Sequence, residues 1–162
     1  MYLITRGFNM RYLYNKDLIN VTLNNNNEAA GCFINNVKLY NNKLENFKFD
    51  SCEIADNNWR NTYLNSGSFI EGFIKNIDWR FGCFNNIKFS NIDLDKINFN
   101  YAVFRNCEFT DISFTNCTFE YTEFINCKFN DNIIIENAVF ENAFFTNCEI
   151  PEEIEWRINY EN

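Results

Sequence analysis

Between Cys107 and Phe129 the chain reads CEFTDISFTNCTFEYTEFINCKF, with phenylalanine at 109, 114, 119, 124 and 129. A spacing of five fits neither the three-and-four spacing of an amphipathic helix nor the alternation of a half-exposed strand. The same spacing runs through nearly the whole chain. One phase holds Leu3, Phe8, Leu13, Leu18 and Leu23; a second runs from Ile34 and Leu39 through Leu44, Trp59, Trp79 and Phe104 to Phe129; a third holds Ile135, Phe140, Phe145 and Ile150. Call each of these the centre of a five-residue unit. Two residues before the centre stand small or apolar residues: Gly82, Ile87, Ile92, Ile97, Ala102, Cys107, Ile112, Cys117 and Cys127. The other three positions are mostly Asn, Asp, Glu, Lys, Ser or Thr. Two residues in five therefore point inward and three outward.

Units such as AVFRN (102–106), CEFTD (107–111) and ISFTN (112–116) resemble the pentapeptide-repeat family, whose motif is A(D/N)Lxx. The resemblance covers about residues 3–150, with Cys or Ile often standing where Ala is usual. It implies an all-β fold: a right-handed quadrilateral parallel β-helix with four units per coil. Residues 20 apart then stack at the inter-strand spacing of about 4.8 Å, and about seven coils make a rod on the order of 35 Å long.

The sequence supports this stacking. Asn46, Ser66, Asn86, Asn106, Asn126 and Asn147 fall in one corner column. Asparagine tolerates turn conformations that other residues resist, and stacked amides can form ladders. The chain has only 5 Gly and 1 Pro, so asparagine is the residue that turns its corners. The repeat occupies residues 1–150. Its first phase slip spans the polar, aperiodic NNNNEAAG, and the reading there is a protruding loop or bulge over residues 24–31. The second slip, one residue near Asn130–Asn132, reads as a bulge at a corner. Residues 151–162, PEEIEWRINYEN, predict a short C-terminal capping helix. Pro151 stands near its start, Glu152 and Glu153 favour the N-terminal dipole, and Ile154, Trp156 and Ile158 are placed to cover the last coil or to meet a second copy.

Composition narrows the function. With 162 residues the prior is one domain, and the net charge of −8 argues against direct nucleic-acid binding and against an anionic membrane surface. The charge is uneven: residues 1–50 hold six Lys/Arg against four Asp/Glu, and residues 101–162 hold three against twelve. There is no apolar run long enough to span a membrane. Arg6 and Arg11 interrupt any signal-peptide core, so a cytoplasmic protein is expected. Seven cysteines without CxxC pairs read as reduced thiols. Cys107, Cys127 and Cys148 share an inner column, as do Cys32 and Cys52; a soft-metal site and a core filler in place of Ala are both conceivable, and free cysteine packs as a small hydrophobe. The expectation is no cofactor and no metal. Histidine is absent, which removes the commonest general base. No nucleotide-binding or nucleophile-elbow motif appears, so the protein is read as non-enzymatic.

Two outward features stand out. Asp111 falls over Asp131, and Glu120 over Glu141; such repeated like-charge stacking costs stability and marks these four as candidates for partner binding. Glu108, Lys128 and Glu149 alternate in sign and read as a salt-bridge ladder. Phe81, Tyr101 and Tyr121 fall in one outward corner column with Val103 beside them, and Ile125 and Phe144 extend the apolar character. A contiguous exposed apolar stripe often marks an interface.

The family resemblance implies a DNA-mimic reading: an acidic rod of roughly duplex width that binds and protects a bacterial type II topoisomerase such as DNA gyrase. The alternative is a protein-interaction scaffold, adaptor or secreted effector that uses the aromatic stripe without mimicking DNA. A homodimer is expected on either reading, through the C-terminal end or the stripe.

Overall fold

A computed structural model describes residues 43–130 and 132–160, and the backbone of six earlier segments: Tyr12–Tyr14, Asp17–Ile19, Thr22–Leu23, Asn27–Ala30, Phe33–Asn35 and Lys38–Tyr40. The expected repeat centres Leu3 and Phe8 lie outside the described residues, as do Cys32 and Asp131.

The described chain is a parallel β-solenoid closed by one short helix. Three long strands, Phe47–Asn58, Tyr63–Asp78 and Cys83–Asn98, lie over one another in register, with Phe49 opposite Phe69 and Phe69 opposite Phe89. The ladder continues through shorter strands to Phe144–Thr146. Each long strand bends at corners five residues apart. Among the described residues, twenty non-glycine residues have φ between 51° and 61°, and they recur in four columns, five positions apart except across the slip between Asn126 and Asn137. Eleven of the twenty are asparagine, which supplies the left-handed conformation at low cost. This confirms how corners are turned with so few glycines.

The interior is four stacked columns of unit centres. Leu44, Leu64, Phe84, Phe104, Phe124 and Phe145 form one; Phe49, Phe69, Phe89, Phe109 and Phe129 the next. Ile54, Ile74, Leu94, Phe114 and Ile135 follow, then Trp59, Trp79, Phe99, Phe119 and Phe140. Rings stack face to face between coils: Phe89 and Phe109 lie 5.2 Å apart at 2°, and Phe109 and Phe129 4.4 Å apart at 7°. Rings on neighbouring sides meet edge to face, as Phe104 and Phe109 do at 65°, the arrangement that ring quadrupoles favour. Smaller residues fill the places between them, including Ala102, Thr122, Ile87, Cys107 and Ile112. Gly67 leaves room for the Phe47 ring, which lies where a Cβ at 67 would sit.

Of the loop or bulge expected over residues 24–31, the described part, residues 27–30, does not protrude. Asn27–Ala30 is a strand paired in parallel with Phe47–Asp50, Ala29 in register with Phe49. Since Leu23 is in register with Leu44, the slip is a single residue rather than an excursion. Ala29 is a centre too small to read as one. Residues 24–26 and 31 lie outside the described residues. The second slip is likewise one residue, between the Phe109–Phe129 and Phe114–Ile135 pairs.

The helix, α1, spans Glu152–Tyr160, with Glu152, Glu153 and Glu155 in its first turn and Arg157 in its last, the distribution its dipole favours. Ile154 is fully buried and Ile158 packs against the core. Arg157 donates to the Ile135 carbonyl at 3.2 Å and lies 3.7 Å from Glu153. Trp156 is 52% exposed, so of the two roles expected for it, covering the last coil or meeting a second copy, it does not take the first as Ile154 does. The cap is therefore Ile154 and Ile158, held down by Arg157, with the indole on the outer side of the helix.

Candidate interaction surface

The four corner columns share one backbone conformation and differ in what they carry. The first, from Asn46 to Asn147, is an amide ladder in its upper part: Asn126 donates to Asn106 at 3.3 Å, and Asn147 to Asn126 at 3.4 Å. The second holds Ser51, Glu71, Asn91 and Asp111, the third Asp56, Asn76, Lys96, Asn116 and Asn137. The fourth reads Asn61, Phe81, Tyr101, Tyr121, Asn142. Its three aromatic residues adopt φ of 59°, 61° and 53°, a region that bulky side chains seldom enter.

Those three rings form a continuous exposed stack. Phe81 and Tyr101 are 5.2 Å apart at 13°, and Tyr101 and Tyr121 5.2 Å apart at 11°. Each remains 43–46% exposed. The guanidinium of Arg60 stands 5.6 Å over the Phe81 ring, closing that end with a cation–π contact. Val103 lies beside the stack in a column that runs Tyr63, Cys83, Val103, Glu123, Phe144. Glu123 thus separates Phe144 from Val103. Ile125 stands between Arg105 and Thr146. The apolar stripe expected from sequence is real at Phe81, Tyr101, Tyr121 and Val103, and is interrupted before Phe144.

The acidic candidates are placed as follows. Asp111 is an exposed corner residue whose carboxylate accepts the amides of Asn132 at 2.9 Å and Asn130 at 3.0 Å. Those two donors, Asn132 first, hold its carboxyl below the usual range. Glu120 is half-buried and accepts from the Asn100 side chain at 3.0 Å, while its backbone N–H donates back to the same amide at 3.0 Å. Glu141 is exposed, and its carbonyl accepts the Tyr121 N–H at 3.1 Å. Asp131 lies outside the described residues. Asp111 and Glu120 are each hydrogen-bonded to asparagine amides of a neighbouring coil. Lys128 and Glu149 pair at 3.4 Å, as the alternating column predicts, but both are well exposed, so the pair adds little stability.

On the flank of the final coil, sequence reasoning named Phe144 but missed Ile134 and Val139. Ile134, Val139 and Phe144 are 62%, 48% and 59% exposed; each directly precedes a centre, buried at Ile135 and Phe140 and partly buried at Phe145, a position that is polar in most earlier coils. That change of composition was the available signal.

The thiols are inner-wall residues. Cys107, Cys117 and Cys127 are buried. Burial pushes the Cys117 thiol up to about 12, and hydrogen bonding with Cys107, joined by burial, pushes Cys127 up to about 12. Cys148, hydrogen-bonded to Cys127, is raised as well. Among the described residues no group of three or more His, Cys, Asp or Glu is arranged to hold a metal ion. The expectation of seven free thiols is corrected at one position: Cys52 is disulfide-bonded, while Cys83, Cys107, Cys117, Cys127 and Cys148 are free. The inner columns bring cysteines of neighbouring coils within reach of one another, which composition alone does not reveal. An open depression on the outer wall is lined by Asn86, Ile87, Lys88, Asn106 and Glu108. Among the described residues no helix is long and apolar enough to cross a membrane.

No curated protein matches the sequence significantly. Among solved structures, the chain is similar to a pentapeptide-repeat protein, Rfr23, from the cyanobacterium Cyanothece, at 14% identity and a TM-score of 0.45, over 78% of this chain and 92% of that one. It is also similar to HetL of the cyanobacterium Nostoc, a pentapeptide-repeat protein involved in heterocyst differentiation regulation (10% identity, TM-score 0.39, 90% and 76% covered). A third is QnrB1, a plasmid-mediated fluoroquinolone resistance protein (16% identity, TM-score 0.37, 82% and 74% covered). The family model for pentapeptide repeats, in nine copies, matches residues 84–128. That match lies at the centre of a five-residue register that continues on both sides of it.

Proposed function

We propose that the protein is a non-enzymatic rod that binds another protein, and that its acidic C-terminal coils enter a basic groove built for DNA, on a type II topoisomerase such as DNA gyrase. One observation carries this reading: residues 101–162 hold twelve acidic against three basic side chains, and acids at Glu108, Asp111, Glu123 and Glu141 are exposed on a rigid parallel ladder. Fixed charge of one sign on a preorganised surface steers association with a surface of the opposite sign. The protein needs no cofactor, does not bind nucleic acid itself, and acts in the cytoplasm. The acidic set to test is Asp111, Glu120, Asp131 and Glu141.

The assay is gyrase supercoiling, with and without a quinolone, titrated with this protein. The expected result is altered activity or protection that fades as salt rises, because surface charge is screened. Changing the four acids to Asn or Gln should weaken the effect and leave the fold intact. If the wild-type protein neither alters gyrase activity nor competes with DNA for it at low salt, the topoisomerase assignment is wrong.

The exposed aromatic stack favours a second reading, a scaffold that contacts protein through Phe81, Tyr101 and Tyr121. Here the acidic quadruple variant binds its partner normally and the double change Tyr101→Ala with Tyr121→Ala abolishes binding. Both readings include a homodimer.

A further inference from the structure

The aromatic stack lies on a strip whose charge reverses about its midpoint. Beside the corner column Asn61, Phe81, Tyr101, Tyr121, Asn142 runs the column Arg60, Arg80, Asn100, Glu120, Glu141. The coil-to-coil hydrogen bonds fix this alignment: Asn61 N–H to the Arg80 carbonyl, Phe81 to Asn100, Tyr101 to Glu120, and Tyr121 to Glu141. Asn100 and Tyr101 stand at the centre. One coil to one side is Arg80 and one coil to the other is Glu120; two coils out are Arg60 and Glu141. Cation, cation, amide, anion, anion is a pattern that inverts its sign on reversal. The corner column is nearly symmetric under the same reversal, with asparagine at both ends and rings between.

We propose that the strip seats the same strip of a second copy of this chain, the two rods lying side by side and antiparallel about a two-fold axis level with Tyr101. This names the occupant of the aromatic contact surface proposed above and rests on that reading. Under this operation each column faces its own copy reversed. Arg60 meets Glu141 of the other copy, Arg80 meets Glu120, and the ring stacks abut. A parallel arrangement would put Arg on Arg and Glu on Glu. A purely basic partner would satisfy the Glu end and oppose the Arg end. The two-fold contact is isologous and closes on itself, so it gives a dimer rather than a filament. The strip also has a reason to be this way. Three bulky residues hold φ near 60° where asparagine would serve, and backbone strain that persists on an exposed surface points to a use for the side chains.

Some of this charge is already engaged: Arg80 makes two hydrogen bonds to Asp78, at 2.8 and 2.7 Å, and Arg60 lies 3.9 Å from Asp78. Glu120 likewise accepts from Asn100 at 3.0 Å, so Glu141 and Arg60, whose approach to Asp78 is the longer of the two, are the pair on which to test the arrangement. Sedimentation velocity of the full chain should show a dimer at micromolar concentration and low salt. Arg60→Glu alone and Glu141→Arg alone each place two like-charge contacts in the symmetric dimer and should weaken it about tenfold or more. Mixed in equal amounts, the two variants should recover the dimer, since each Glu at 60 then meets an Arg at 141. Tyr101→Asn with Tyr121→Asn, which keeps a residue suited to the corner, should give monomer with an unchanged circular dichroism spectrum. A wild-type monomer at high micromolar concentration overturns the proposal. So does a mixture that stays monomeric. So does a dimer that survives the tyrosine changes but is lost on Trp156→Ala, which would move the contact to the C-terminal end. None of these outcomes depends on gyrase, so the two readings fail separately.

Discussion

Two corners of the same coil, one built around Asn106 and one around Tyr101, solve one backbone problem with opposite chemistry. Both residues sit in the left-handed region, at φ 53° and 61°. Asn106 is ordinary there: its amide accepts from the next coil, and the conformation costs asparagine little. Tyr101 gains nothing from the corner itself, and instead stacks on Phe81 and Tyr121. The residues that follow the two corners differ as well. Behind the asparagine column lie Cys107 and Cys127; behind the aromatic column lie Ala102 and Thr122. The comparison separates what the fold demands, a left-handed residue every five, from what the fold merely allows. Only the second kind of choice carries information about partners.

If the core and not the corner residue sets the bend, core substitutions must outweigh any corner substitution. Phe109 is buried and stacked on both sides, 5.2 Å from Phe89 and 4.4 Å from Phe129. Phe109→Ala should cost about 3–5 kcal/mol, read by chemical denaturation. An equal loss on changing Asn106 to a β-branched residue would reverse the ranking of core and corner.

Space beneath the first corner column is the next lever. Gly67 follows Ser66 and leaves the room that the Phe47 ring fills. Gly67→Ala should cost about 1–3 kcal/mol through overpacking. Phe47→Leu in the same chain should recover part of it, as a double-mutant cycle would register. Strict additivity of the two changes would mean that they do not compete for the same space.

The buried thiols, Cys127 behind the asparagine column and Cys117 behind the third, distinguish the corners they back from the aromatic one by pH. Cys117 and Cys127 are held up at about 12 in the folded protein, against about 8.5 for an unfolded thiol. A raised folded value contributes stability that is complete below the unfolded value and lost as pH climbs toward the folded one. Unfolding measured from pH 8 upward should therefore show declining stability through the window up to about 12, and Cys127→Ala should flatten the slope. Tyr101→Asn should change this slope less than Cys127→Ala does, because the aromatic corner is backed by Ala102 and Thr122.

Much of this was legible in the sequence, and the failures have physical causes. A five-residue period, a buried residue two before each centre and repeated Asn fixed the columns, because every coil contributes the same few degrees of freedom. The slip near residue 24 could be read as either a loop or a bulge because Ala29 is a centre without bulk; its register with Phe49 appears only when strands are paired. Trp156 could not be assigned between cap and dimer contact because helical spacing alone does not say which apolar residue meets the last coil; Ile154 does. The acidic columns looked bare because the amides hydrogen-bonded to them, Asn130 and Asn132 at Asp111 and Asn100 at Glu120, sit in neighbouring coils. The charge reversal of Arg60, Arg80, Asn100, Glu120 and Glu141 was present in the sequence all along, but those positions read as a column only when the rods are stacked.

The smallest effect discriminates most sharply between the two corners. Replacing Tyr101 by Asn relieves one strained corner, a gain of about 1 kcal/mol, but it breaks two ring stacks, each worth about 0.5–1.5 kcal/mol. The single change should therefore be neutral to slightly destabilising. Replacing Phe81, Tyr101 and Tyr121 together by Asn relieves three corners and still breaks only those two stacks. It also extends the asparagine column from Asn61 to Asn142 without interruption, and it loses the cation–π contact of Arg60, which at a partly exposed site is worth about 0.5–1 kcal/mol. The triple variant should thus be no less stable than the single one, and by this arithmetic more stable by roughly 1 kcal/mol. Urea denaturation at dilute protein concentration, below any self-association, measures the difference. If instead each aromatic residue removed lowers stability by a similar step, the rings belong to the fold in the way Phe109 does, and the aromatic corner no longer points to a partner.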